Sequence, residues 1–144
     1  MKNKISAIID TNVIVSAVLL PRSVSRQVFD FVVLQGALLA SEQTLEELNE
    51  VLCRAKFDKY LPEQKRLEFF AALVRKVEII VVSEVITDCR DAKDNKFLEL
   101  AINGHASHLI SGDKDLLVLN PFRQVVIMPP ATFLSHDNKN HKNF

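Results

Sequence analysis

Ile5-Ser6-Ala7-Ile8-Ile9-Asp10-Thr11-Asn12-Val13 is the stretch on which the fold turns. Its first five residues read as a buried strand, because an apolar, β-branched run of this length suits a sheet covered on both faces. The run stops at an acid, and Thr11 opens a helix that passes through Val13 to Leu19 and closes before Pro21. A strand that delivers a carboxylate straight into a helix start is the first half of a parallel β-α-β unit.

The same alternation continues outward. Ser23 to Leu34 carries Val24, Val28, Phe29 and Val32 at helical spacing and ends at Gly36, and Ala37-Leu38-Leu39-Ala40 is a second strand. Ser41 and Thr44 lead into an amphipathic helix with Leu45, Leu48, Val51 and Leu52 on one side. Pro62 starts another, where its missing N–H costs least, with Leu67, Phe70, Ala71 and Val74 assigned to the inner face. Val77 to Val82 reads as a third strand and Thr87 to Asn95 as an acid-rich loop. Phe97, Leu98, Ala101 and Ile102 form a helix ending at Gly104, followed by strands at His108 to Ser111 and Val125 to Met128. The expected fold is α/β, a three-layer α/β/α sandwich with a five-stranded parallel sheet. Residues 1–134 form one domain, and residues 135–144 are expected to be a polar, disordered tail.

Composition narrows the functions. With 18 basic and 18 acidic side chains the net charge is zero, so any nucleic-acid binding rests on a local patch or on bound cations. Cys53 and Cys89 are far apart and the four histidines are not spaced as zinc ligands. The apolar start is broken by Asp10 and Asn12 and lacks a small-residue cleavage site, so it is not a secretory signal, and the expected location is cytoplasmic.

In open parallel sheets, functional groups collect beyond the carboxyl ends of the strands. Asp10 ends the first strand, Asp113 follows the fourth by two residues beyond Ser111, and Asp94 precedes the helix that feeds that strand. Glu47 joins them by helical phase: at about 100° per residue, Glu46 and Glu50 point away from the Leu48–Leu52 stripe, whereas Glu47 sits at its border. Two charges about 5 Å apart repel by roughly 3 kcal/mol at an effective dielectric of about 20. Such a cluster therefore either takes up protons or binds divalent cations, and hard oxygen donors select Mg²⁺ or Mn²⁺. Each acid also has a plainer reading, Asp94 and Asp113 as helix N-caps and Glu47 as a solvated helix residue. Asp91 and Asp115 are further acids of the same loops.

Together these residues resemble a known family. Asp10-Thr11-Asn12-Val13, Glu47-Leu48, Asp94-Asn95-Lys96-Phe97-Leu98-Glu99 and Ser111-Gly112-Asp113-Lys114-Asp115-Leu116-Leu117 resemble, in order, the blocks of PIN domains. The resemblance runs from about Ile5 to Met128 and is greatest to the bacterial and archaeal branch of toxin components of toxin–antitoxin systems. It implies a Mg²⁺- or Mn²⁺-dependent endoribonuclease, homodimers and an antitoxin protein as partner. It also implies Asp10, Glu47, Asp94 and Asp113 as catalytic, metal-binding acids, with Asp115 as an auxiliary ligand. Asn12 would hold or orient Asp10, and Ser111 would support Asp113 or a metal-bound water. One departure is Ala92, where this branch often has proline. In-line hydrolysis of single-stranded RNA, leaving a 5′-phosphate and a 3′-hydroxyl, is the expected reaction. Arg26 and Lys114 are the candidate substrate-binding residues, with Lys93, Lys96 and Arg22 also flanking the rim. Two rivals remain at this point: a small metal-dependent phosphatase, which would lack the usual Asp-x-Asp pair because Thr11 and Asn12 follow Asp10, and a non-catalytic metal- or partner-binding module.

Overall fold

The computed structural model describes residues 5–142, with residues 137–142 described by their backbone alone. Five parallel strands, β1 (Ser6–Ile9), β2 (Ala37–Ala40), β3 (Glu78–Ile79), β4 (His108–Ile110) and β5 (Val126–Met128), form one sheet in the order β3-β2-β1-β4-β5. Among the described residues seven α-helices connect and cover them: α1 (Thr11–Leu19), α2 (Val24–Gln35), α3 (Glu42–Leu52), α4 (Glu63–Lys76), α5 (Asn95–Asn103), α6 (Lys114–Leu117) and α7 (Pro130–Lys142). No described helix is long and apolar enough to cross a membrane.

Period-two alternation sorts the strand residues between two cores. Ala7, Ile9, Leu38, Ile110 and Met128 face the layer that holds Val13, Val28, Val32, Leu48, Leu52 and Phe133. Ile8, Leu39, Leu109 and Ile127 face Phe97, Leu98, Ala101 and Leu116 on the other side. Because β1 lies between β2 and β4, the chain reverses its winding direction between β1 and β4. A crevice opens beyond the carboxyl ends of these two strands. The Asp10 amide donates to the Ile110 carbonyl at 3.0 Å, which fixes both strand ends at one level.

Three elements differ from the sequence reading. The apolar run 77–82 pairs only through Glu78 and Ile79, opposite Leu39 and Ala40. Ile80 donates the last ladder bond to Ala40 and packs into the core, but Val81 projects into solvent at 86 % exposure because no layer covers that edge. In the assigned tail, helix α7 continues to Lys142, started by Pro130 at its first turn and anchored by buried Phe133. Residues 143–144 lie outside the described residues.

The third difference is the face of α4. Leu67 and Val74, assigned to the inner face, are 36 % and 39 % exposed, whereas Arg66 is fully buried and Leu73 nearly so. The helix is turned this way because the Arg66 guanidinium has work to do beneath it. Nε donates to the Leu52 carbonyl at 2.7 Å, Nη2 to that of Arg54 at 3.3 Å and Nη1 to that of Leu61, while Asp58 pairs with it at 3.0 Å. One side chain thus ties the last carbonyl of α3 to both ends of the following turn, whose 3-10 segment Ala55–Phe57 has backbone hydrogen bonds of its own. Arg66→Met keeps the aliphatic bulk and removes the donor from the Leu52 and Leu61 carbonyls, while the Arg54 carbonyl keeps the Phe57 amide. It is expected to lower stability by about 3 kcal/mol in urea unfolding, and a loss below about 1 kcal/mol would mean that water replaces the guanidinium.

Candidate active site

Each proposed acid reaches the crevice by a local device. Asp10 is the N-cap of α1: its Oδ1 accepts from the Val13 amide at 2.9 Å, and its Oδ2 accepts from the Ser111 hydroxyl. Ser111, itself fully buried, also accepts from the Asp113 amide at 3.0 Å, so one hydroxyl joins the ends of β1 and β4. Asp113 caps α6, with Oδ1 accepting from the Asp115 amide at 2.8 Å. Asp94 stands at the N-cap position of α5 but makes no side-chain capping bond. Its carboxylate is left for something else. The 3-10 turn Ala92–Asp94 that carries it is braced by α5, where Asn95 Oδ1 accepts from the Cys89 amide at 2.8 Å and Glu99 from the Ile86 amide at 3.0 Å.

Asp10, Glu47, Asp94 and Asp113 line one open cleft of about 370 Å³, with Thr11, Asn12, Glu50, Arg54, Asp91, Lys93 and Phe97 also at its walls. Six carboxylates against Arg54 and Lys93 make it strongly anionic. Burial pushes the Asp10 carboxyl above its ordinary range, against the opposing pull of its Ser111 and Val13 hydrogen bonds; the charges of Asp113 and Glu47 raise it further. Asp94 is pushed up to about 7, first by burial and then by close approach to Asp113, with Asp91 adding to the effect and Lys96 opposing it. With both Asp94 and Asp113 ionised no donor faces Asp94 Oδ2, which is buried and has no hydrogen-bond partner.

Glu47 is held differently. Its carboxylate accepts from the Thr11 hydroxyl and pairs with Lys96 Nζ at 2.8 Å, and Lys96 also donates to the Lys93 carbonyl. Thr11 and Lys96 are thus site residues that motif reading placed only as neighbours, since the contacts span 36 and 49 positions of chain. Arg54 was not singled out at all, and its one sequence signal is its place in a basic stretch directly after α3.

The remaining candidates fall into place less uniformly. Asn12 lines the cleft yet makes no hydrogen bond to Asp10, whose orientation is set by Val13 and Ser111. Asp115 gives its amide to Asp113 and its carbonyl to the Cys89 thiol, and it is not at the cleft wall. Lys114 is exposed on α6, beyond the wall. Arg26 lies elsewhere: it pairs with Asp30 at 3.1 Å, reaches the Ala17 carbonyl and stacks 5.5 Å from the Phe69 ring, in a separate hollow between α2 and α4. Ala17 is seven residues along α1 from Asp10, about 10 Å at 1.5 Å per residue, so this guanidinium faces another surface.

A hard divalent cation fits the donor set: carboxylate oxygens, one of them orphaned, two carboxyls raised by burial, and no competing sulfur or imidazole at the wall. Among the described residues, however, no three His, Cys, Asp or Glu side chains are gathered tightly enough to hold an ion as they stand. The Lys96 ammonium occupies one carboxylate oxygen of Glu47, so gathering the acids requires Glu47 to exchange that partner.

The sequence profile of the PIN domain family matches residues 6–115. An uncharacterised protein of Methanocaldococcus jannaschii is 32 % identical over 120 residues, covering 82 % of this chain and 77 % of that one. Among solved structures, VapBC2 from Rickettsia felis, bound to a DNA fragment from its promoter, superposes with a TM-score of 0.58 at 16 % identity, over 85 % of this chain and 97 % of that one. A Pyrobaculum aerophilum protein superposes with a TM-score of 0.60 at 12 % identity, over 92 % and 88 %. These two likenesses speak to the fold. The profile match spans most of the chain and takes in Asp10, Glu47, Asp94 and Asp113, and on that ground this chain belongs to the PIN domain family.

Proposed function

We propose that this protein is a divalent-cation-dependent endoribonuclease, acting as the toxin of a toxin–antitoxin pair. The observation that carries the reading is the buried, partnerless Oδ2 of Asp94 in a cleft shared with Asp10, Glu47 and Asp113. A bare carboxylate oxygen left without a donor costs about 1–3 kcal/mol or more, and a cation is the natural occupant of such a place. Mg²⁺ or Mn²⁺ would be held by Asp10, Asp94 and Asp113, with Glu47 joining once Lys96 lets go. Bound there, the cation supplies Lewis acidity to a phosphodiester and neutralises charge as the bond breaks. Ser111 keeps Asp10 and Asp113 in register, Thr11 steadies Glu47, and Arg54 and Lys93 offer the flanking phosphates positive charge. The antitoxin and homodimer readings draw on family resemblance; the cytoplasm is the compartment that suits them.

The test is cleavage of end-labelled single-stranded RNA by purified protein with Mn²⁺, Mg²⁺ or EDTA. Metal-dependent cutting is expected, and its absence with metal shown to bind would overturn the nuclease reading in favour of a cation-binding module. Lys96 gives an independent check. Its ammonium competes with a cation for Glu47, so Lys96→Met is expected to tighten Mn²⁺ binding about tenfold in titration calorimetry; weaker binding would mean that Lys96 helps to build the site.

A further inference from the structure

Beyond Arg54, the turn between α3 and α4 has features that neither the core nor the acidic cleft uses. Arg54 stands in the cleft wall, and Lys56, Lys59 and Tyr60 follow it on the exposed surface. Tyr60 is the only tyrosine in a chain without tryptophan, and it is 56 % exposed. The Lys59 ammonium lies 5.3 Å from its ring centroid. Asp58, the one acid in the stretch 54–60, is neutralised by buried Arg66 at 3.0 Å. Among the described residues the Arg54 guanidinium pairs only with the exposed Glu50 one turn back, at a loose 3.9 Å. A chain of zero net charge therefore presents a run of exposed cations and an open aromatic ring beginning at the edge of its most anionic cleft.

The buried arginine makes this turn more than a surface loop. Burying a guanidinium costs several kcal/mol of desolvation unless its donors are used. Here its hydrogen bonds and its ion pair all go to the turn: the carbonyls of Leu52, Arg54 and Leu61 and the carboxylate of Asp58. The exposed side chains are thus carried on a backbone held in one shape, which removes the ordering entropy that a floppy loop would lose on binding.

Resting on the nuclease reading, we infer that residues 54–60 form a preorganised arm that binds single-stranded RNA as it leaves the cleft. Arg54, Lys56 and Lys59 take successive phosphates, and Tyr60 stacks on an unpaired base. The pairing of ring and ammonium matches the base and phosphate of one nucleotide, and aromatic stacking is the sequence-tolerant way to grip a single strand. The arm also solves an electrostatic problem: a polyanion crossing six carboxylates needs cations beside them to hold it in place.

The experiment is fluorescence anisotropy of a short labelled oligoribonucleotide with the full chain in EDTA, where no divalent-ion chemistry occurs. Tyr60→Ala is expected to weaken binding about tenfold, while Tyr60→Phe, which keeps the ring, binds like wild type. The double variant Lys56→Ala with Lys59→Ala is expected to reduce the slope of log affinity against log salt by about 1.4, at about 0.7 per phosphate contact. Tyr60→Ala is expected to leave binding of the matching RNA duplex unchanged, since paired bases offer no free face. Wild-type affinity in Tyr60→Ala, an unchanged slope in the lysine variant, or equal losses on single strand and duplex would each overturn the arm. Because the readout needs no metal, it is separable from catalysis. RNA held by the arm but never cut with Mn²⁺ overturns the nuclease reading alone, and cutting with no arm effect overturns this inference alone.

Discussion

Asp10→Asn is expected to lower RNA cleavage by about a thousandfold or more, roughly 4 kcal/mol of transition-state stabilisation, while leaving the thermal melt almost unchanged. The two halves follow from the geometry of one side chain. Asparagine keeps an Oδ1 that can accept from the Val13 amide, so the cap of α1 survives. Its amide nitrogen replaces the oxygen that accepts from Ser111, and the Ser111 hydroxyl can turn to accept instead, because its oxygen has two lone pairs and the Asp113 amide uses one. Removing a buried carboxylate whose acidity is already suppressed by desolvation costs the fold little. What is lost is one full negative charge and one hard ligand at the point where β1 and β4 end. Circular dichroism melts beside gel-resolved cleavage would measure both halves. Wild-type activity in the variant would remove Asp10 from the chemistry, and a large loss of stability would make it a structural cap first.

Asp94→Asn should separate metal binding from folding. In the folded, metal-free protein Asp94 holds its proton up to about pH 7, whereas an unfolded aspartate releases it near pH 3.9. Between those values the folded state binds more protons than the unfolded state, so stability falls as pH rises through this window. The penalty is absent below it and complete above it. An asparagine side chain at this position abolishes the penalty and can donate to Asp113. At pH 8 the metal-free variant is therefore expected to melt several degrees above the wild type, with the gap closing at pH 5. Mn²⁺ at about a hundred times its dissociation constant should stabilise the wild type by about 2.7 kcal/mol and the variant by much less. Equal responses to Mn²⁺ would take Asp94 out of the cation site, whatever the cleavage assay shows.

These two acids also show how much of the cleft is legible in the chain's spacing alone. Asp10 is legible because its context is local: an apolar strand, an acid and a helix start within nine residues. Asp113 and Asp94 follow from the same logic at β4 and at the start of α5, and Glu47 from the phase of one helix. All four reach one cleft. Arg26 shows the limit, because helical phase says that a side chain is polar and outward but not which face of the molecule is outside. Its guanidinium lies over Phe69 and beside Asp30, in the hollow between α2 and α4, and reaches α1 only at the Ala17 carbonyl.

The face of α4 fails for a related reason. Hydrophobicity alone assigns Leu67 and Val74 inward, and the fold puts Arg66 there instead because its guanidinium serves the last carbonyl of α3, at Leu52, and the carbonyls of Arg54 and Leu61 beyond it. β3 is shorter than the run 77–82 because β-branched residues favour extended backbone wherever they stand, whereas a strand exists only where a neighbour offers partners, and β2 offers two.

By itself the sequence determined the alternation of strand and helix, the five-stranded α/β layering and the acids at the strand ends, because these depend on residues a few positions apart. Only the tertiary structure decided that Ser111 joins Asp10 to Asp113 across 101 positions, that Lys96 and Thr11 hold Glu47, and that Arg66 is buried beneath a basic turn. Those contacts depend on which surfaces pack together. Local spacing fixes which way a side chain leaves its own element, but the partner it meets is set by the crossing of elements far apart in the chain.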